Sequence, residues 1–125
     1  TPLFVECTVD ETTGEELTPL VHRSSRRVFA VQTAEKLQEL LAGVVAEGTG
    51  RQAAPSEGTA AGKTGTAQTG QFRDGEELKN YWFAGFYPAE KPRWTIVVMQ
   101  DAQTEPEVSS AAIFARLCDA LSAGQ

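Results

Sequence analysis

At 125 residues, with 41% hydrophobic and 22% charged residues, the chain has the size and apolar content of one domain or a large part of one, and not the composition of a disordered segment. A net charge of -6 opposes the counterion release on which nucleic-acid affinity depends, and the basic residues are scattered apart from Arg23, Arg26 and Arg27, so no nucleic-acid partner is expected. No stretch reaches the roughly eighteen apolar residues of a membrane span, and Thr1 to Asp10 lacks the basic start and apolar run of a signal peptide; any anchor is expected to lie outside this chain.

Leu3 to Val9 alternates weakly between apolar and polar residues, and the cluster Asp10, Thr12, Thr13 and Gly14 reads as a turn into a returning strand over Leu17 to Val21, hence a hairpin. His22 and the nearby arginines read as its solvated face. Ala34, Leu37, Leu41, Val44 and Val45 recur at helical spacing, which predicts a helix over 34–45 with Thr33 as N-cap and Gly48 as stop. Gly48 to Gly62 has no periodicity and reads as a loop feeding a strand over Thr59 to Thr69. Asp74, Glu76 and Glu77 read as a solvent-exposed loop. Tyr81 to Tyr87 and Trp94 to Met99 are rich in aromatic and β-branched residues and read as an antiparallel pair joined through Pro88 to Pro92. Glu107 to Ala123, after Pro106, places Val108, Ala111, Ala115 and Cys118 on one face beside Phe114, Leu117 and Leu121, as in an amphipathic helix. Hairpin, helix, loop, three strands and helix make an α+β fold, an antiparallel sheet with helices packed on it.

Cys7 and Cys118 read as buried free thiols or as a disulfide, and one histidine with two cysteines leaves no metal cluster, so neither metal nor cofactor is expected. Trp82, Phe83, Phe86, Tyr87 and Trp94 read as core aromatics in preference to a stacking platform. The chemistry-bearing segment is Gly62, Lys63, Thr64, Gly65, Thr66 and Ala67. A phosphate-binding loop needs four residues between its glycine and GK, and only three separate Gly58 from Gly62, with no apolar strand before and no helix sequence after. The alternative is a strand that receives a carboxylate. Lys63 supplies positive potential, Thr64 and Thr66 supply hydroxyl donors, and Gly65 lets a ligand backbone lie close. Gln68 and Thr69 continue that strand within reach of the same ligand.

KTGT followed by Ala67 resembles the third active-site motif of penicillin-binding proteins and serine β-lactamases. Val44, Val45, Gly48, Thr49 and Gly50 resemble the VVxxGTG element of the penicillin-binding family, and Trp82, Phe83, Gly85, Phe86 and Pro88 resemble its WFxGFxP strand. The segment Pro2 to Val9 with Gly14 is similar to the hairpin of class B enzymes, and Ile113, Phe114 and Ala115 suit the closing helix. The resemblance implies that residues 1–125 are the C-terminal portion of a transpeptidase domain, acting by acyl transfer on a peptidoglycan stem peptide ending in D-Ala-D-Ala, which β-lactams imitate. It implies that Lys63 provides positive potential and hydrogen bonding, that Thr64 and Thr66 hold the carboxylate, that the Thr66 N–H forms half an oxyanion hole, and that Gly65 keeps the surface open.

The family also needs SxxK, which carries the nucleophile, and SxN. Ser24 is followed three places on by Arg27, Ser25 by Val28, Ser56 by Thr59, Ser109 by Ala112 and Ser110 by Ile113, while Asn80 follows Lys79 and Leu78. The resemblance implies that both motifs precede this chain, that the chain alone is inactive, that its partner is the missing N-terminal part of the domain, and that uncovered apolar surface drives self-association. The parent is expected at the extracytoplasmic face of a bacterial membrane. A class D β-lactamase or a β-lactam sensor domain shares the KTGT strand, and a purely docking role is a third reading.

Overall fold

The aromatic and β-branched runs Tyr81 to Tyr87 and Trp94 to Met99 are realised as two neighbouring strands of a three-stranded antiparallel sheet, the centre of an α+β fold. The computed structural model describes residues 7–17 and 27–124. The chain divides into two compact units, Thr1–Ala30 and Val31–Gln125.

In the first unit, strands β1 (Thr8–Val9) and β2 (Glu16–Leu17) pair antiparallel, Thr8 opposite Leu17 and Val9 opposite Glu16. Asp10 builds the turn. Its Oδ1 accepts from the N–H of Thr12 at 2.9 Å and of Thr13 at 2.8 Å, and its carbonyl accepts from the Gly14 N–H at 2.8 Å. Those bonds, that to the Thr13 N–H foremost, hold the Asp10 carboxyl below its ordinary range. The outer parts of the expected strands, 3–6 and 18–21, and His22, Arg23 and Arg26 lie outside the described residues.

The second unit begins with helix α1 (Val31–Ala46), three residues earlier than the apolar spacing predicts, so Thr33 lies within the helix and is not its cap. Nothing in Val31, Gln32 or Thr33 breaks a helix, and this added turn is exposed. The expected apolar stripe reaches the core only at its C-terminal end: Val45 is buried, Leu41 and Val44 are half-buried, and Leu37 remains 44% exposed. The Gly48 and Gly50 N–H groups bond back to the Val44 carbonyl and turn the chain out of the helix. The expected loop contains a 3-10 turn at Arg51–Ala53.

Strands β3 (Ala61–Arg73), β4 (Glu76–Tyr87) and β5 (Trp94–Gln103) follow in sheet order β3-β4-β5, so β3 and β5 are edges among the described residues. Asp74 and Gly75 are the two turn residues between β3 and β4, at φ 54° and 87°, the hairpin geometry that an Asp-Gly pair favours. Glu76 and Glu77 therefore open β4 and do not belong to a loop, which corrects the sequence reading. Helix α2 (Ser110–Ala123) starts three residues later than expected, because the Ser109 side chain accepts from the Ala112 N–H at 3.1 Å and caps it there.

One sheet face carries Phe83, Gly85 and Tyr87 opposite Val98, Ile96 and Trp94, and α2 covers it with Ala111, Phe114 and Cys118. Phe83 and Phe114 are fully buried, their ring centroids 4.7 Å apart. Gly62 and Gly85 make room for that contact: a Cβ on Gly62 would stand 2.7 Å from the Phe83 ring and from the Ala84 carbonyl, and one on Gly85 would stand 2.5 Å from the Ala61 carbonyl. Tyr87 stacks on Trp94 and its hydroxyl donates to the Glu57 carbonyl at 3.1 Å. Cys118 is a free thiol in this core, and Cys7 is also free. The opposite face, with Trp82, Ala84, Val97 and Met99, stays exposed. The aromatic segment thus divides: Phe83 and Tyr87 are core, Phe86 and Trp94 are half-buried, and Trp82 is not core.

Candidate functional site

Lys63, Thr64, Gly65 and Thr66 are consecutive on the edge strand β3, opposite Ala84, Phe83, Trp82 and Tyr81 of β4. The strand enters this stretch from buried residues, Ala60 at 3% and Ala61 at 0% exposure, and leaves it exposed. Lys63, Gly65 and Thr66 are exposed and Thr64 is half-buried. By alternation Thr64 and Thr66 share the face of Phe83 and Tyr81, while Lys63 and Gly65 share that of Trp82.

The Lys63 ammonium folds back along the strand. Its Nζ donates to the Thr64 carbonyl at 3.0 Å and to Thr64 Oγ1 at 3.0 Å, and Thr64 Oγ1 stands 3.4 Å from Thr49 Oγ1. Gly65 is not required by the protein's own packing, since a Cβ there would meet only the Trp82 Cβ at 3.5 Å, an ordinary contact. Beside the strand is a pocket of about 170 Å³ whose lining includes Thr49, Gln52, Thr64, Thr66, Tyr81 and Ser109. Ser109 donates to Gln52 Oε1, which ties the start of α2 to the 3-10 turn, and Ser110 Oγ donates to the Tyr81 carbonyl at 2.8 Å. An ammonium beside a hydroxyl-lined recess on an open strand edge can receive a carboxylate or an acyl oxyanion.

All four residues singled out in the sequence are therefore brought together. Thr49 was visible within GTG only as a helix-ending motif, and Gln52 and Ser109 carried no sequence signal, because only tertiary packing carries them to β3. Gln68 and Thr69 are engaged within the hairpin: Gln68 Nε2 donates to Glu77 Oε2 at 2.7 Å and Thr69 Oγ1 to the Leu78 carbonyl at 2.6 Å. A wider depression of about 400 Å³ between α1 and the β4–β5 connection is lined by Glu35, Glu39 and Glu90 and holds no nucleophile.

A three-stranded antiparallel sheet with helices packed on it is the α+β architecture of penicillin-binding-protein transpeptidase domains. The chain belongs to the penicillin binding protein transpeptidase domain family, whose family model matches residues 1–119. It is 34% identical over 104 residues to stage V sporulation protein D of Bacillus subtilis, covering 81% of this chain and 16% of that protein. It is 37% identical over 117 residues to penicillin-binding protein PbpB of Mycolicibacterium smegmatis, covering 81% of this chain and 17% of that protein. The chain thus spans about a sixth of the length of these relatives. Among solved structures, the transpeptidase domain of Burkholderia pseudomallei penicillin-binding protein 3 aligns with a TM-score of 0.66 at 26% identity, covering 94% of this chain and 35% of that one. The D,D-transpeptidase domain of an Eggerthella lenta peptidoglycan glycosyltransferase aligns with a TM-score of 0.61 at 29% identity, covering 95% of this chain and 27% of that one.

Proposed function

We propose that residues 1–125 supply the C-terminal, KTGT-bearing portion of a penicillin-binding D,D-transpeptidase site that crosslinks peptidoglycan stem peptides at the extracytoplasmic face of a bacterial membrane. The observation that carries this reading is the exposed edge strand on which Lys63, Thr64, Gly65 and Thr66 stand beside the hydroxyl-lined pocket. A serine supplied by polypeptide outside these residues attacks the carbonyl of the penultimate D-alanine. Its oxygen forms the acyl bond, the bond to the terminal D-alanine breaks, and that residue leaves as the amine, taking up a proton. An amine of a second stem peptide then attacks the acyl-serine and releases the hydroxyl. Lys63 and the threonine hydroxyls hold the substrate carboxylate, or that of a β-lactam, and the Thr66 N–H supports the oxyanion. The chain holds no SxxK or SxN, so by itself it has no nucleophile to acylate.

The exposed sheet face, where Val97 is 57%, Met99 45% and Trp82 38% exposed, supports the remaining part of the domain as partner, and self-association when that part is absent. A monodisperse monomer at high concentration in sedimentation would count against self-association. The functional test mixes the chain with a fluorescent penicillin, alone and refolded with a segment carrying SxxK and SxN, and reads covalent label on a denaturing gel. Label on the added segment, abolished by Lys63→Ala, is the expected result. Label on this chain alone, or undiminished label with Lys63→Ala, would overturn the assignment.

A further inference from the structure

The ladder between β3 and β4 is regular from Ala61 to Gln68 and resumes at Phe72, opposite Glu77. Between these points Thr69, Gly70 and Gln71 face Leu78 alone, so β3 carries two extra residues. One extra residue would turn everything beyond it to the other side of the sheet, whereas two restore the alternation. Phe72 therefore returns to the face of Thr64, Thr66 and Gln68, and it stands there 68% exposed at the hairpin tip.

Two side chains hold the interruption in place of ladder bonds. The Glu77 carboxylate accepts from Gln68 Nε2 at 2.7 Å through one oxygen and from the Gly70 N–H at 3.1 Å through the other. The Thr69 hydroxyl donates to the Leu78 carbonyl at 2.6 Å and accepts from the Gln71 N–H at 3.1 Å. Gly70 takes φ 71°, which few other residues adopt. This is a fixed bend, locked from both strands, in the strand that carries the KTGT residues.

Resting on the transpeptidase reading, we propose that the hairpin tip bearing Phe72, oriented by Glu77 and Thr69 as positioning residues, recognises the part of the stem peptide N-terminal to its D-Ala-D-Ala end. A peptide whose carboxylate lies at Lys63 and Thr64 cannot run back past Ala60 and Ala61, which are buried, so it runs along the exposed edge toward Gln68. Because the two extra residues are taken up in the bulge, Thr66 to Phe72 covers only the four β4 steps from Tyr81 to Glu77, roughly 14 Å, whereas an extended pentapeptide spans roughly 17 Å. Its sugar-proximal residues therefore reach the tip, while a blocked D-Ala-D-Ala dipeptide stops short of it. Phe72 offers an apolar surface to the aliphatic part of those residues.

The test uses the full-length protein and measures how well a stem pentapeptide and a blocked D-Ala-D-Ala dipeptide each compete with a fluorescent penicillin. Phe72→Ala is expected to reduce the pentapeptide's advantage over the dipeptide about tenfold. Glu77→Ala keeps Phe72 and removes its hold; it is expected to lose the same advantage, with the double variant losing no more than either single one. A melting curve for each variant separates this effect from unfolding. A wild-type protein with no pentapeptide advantage, or a Phe72→Ala variant that retains it, would overturn the proposal. A wild-type protein that takes up no penicillin would overturn the transpeptidase reading itself.

Discussion

Gly62→Ala and Gly65→Ala add the same methyl group three residues apart on one strand and are expected to have opposite consequences. At Gly62 the new Cβ would stand 2.7 Å from the Ala84 carbonyl, which is held in the ladder, and 2.7 Å from the Phe83 ring, which is fully buried against Phe114. Neither neighbour can withdraw, so the cost belongs at the upper end for overpacking, about 3 kcal/mol. In a domain of a few hundred residues this lowers the melting temperature by roughly 4 °C. At Gly65 the Cβ meets only the Trp82 Cβ at 3.5 Å, and relief of glycine's backbone entropy leaves stability level or higher by about 0.5 kcal/mol. On the proposed function the same methyl would stand where the ligand lies against the strand, so acylation by a fluorescent penicillin should fall. Urea unfolding followed by tryptophan fluorescence, beside the acylation rate, reads both effects in a protein carrying the whole domain. A Gly65→Ala variant as unstable as Gly62→Ala, or one acylated at the wild-type rate, would refute the reasoning.

Three further outcomes follow from the core and the caps. Burial, and then the charge of Asp119, push the Cys118 thiol up to about 11 from 9.0. The folded value is the higher one, so the stability it contributes is complete below the ordinary thiol range and is lost as pH rises toward 11. Native Cys118 should accordingly resist a thiol reagent at mildly alkaline pH in a Cys7→Ser variant, and labelling as fast as in the unfolded chain would contradict its burial. Ser109→Ala should cost about 1 kcal/mol in urea unfolding through loss of the α2 cap, with Ser109→Asp largely restoring it; equal stability of all three would show that the cap is dispensable. The Glu90 carboxylate is held below its ordinary range first by the Thr59 hydroxyl and then by its own N–H, so its contribution is present at neutral pH and fades as pH falls through the folded value. Thr59→Val should move its NMR titration midpoint upward, and an unmoved midpoint would reject the pairing.

Strand positions were the most legible part of this fold, because Tyr81 to Tyr87 and Trp94 to Met99 are dense in β-branched and aromatic residues. The helix starts were not, since Val31 to Thr33 and Glu107 to Ser109 are neutral enough that capping and packing decide. Asp74-Gly75 is a strong hairpin signal that the neighbouring acids obscured: Glu76 and Glu77 look solvated in sequence, yet Glu77 spends its carboxylate on Gln68 and Gly70. The site divides in the same way. Lys63 to Thr66 are contiguous and could be read from their letters, whereas Thr49, Gln52 and Ser109 meet them only because α1, the 3-10 turn and α2 converge behind β3.

The way Lys63 rests on Thr64 has a consequence for what can enter. An ammonium has hydrogens and no lone pair, so it is the donor in both of its contacts, and the Thr64 hydroxyl must turn its own hydrogen elsewhere, with Thr49 Oγ1 at 3.4 Å. An arriving ligand meets groups that already satisfy one another, and entry is an exchange of partners at a nearly constant number of hydrogen bonds. The exchange is favourable when a neutral carbonyl or hydroxyl is traded for a negatively charged oxygen. On the transpeptidase reading a free C-terminal carboxylate gains by it, whereas the same peptide ending in a carboxamide offers only another neutral carbonyl and gains nothing from the exchange.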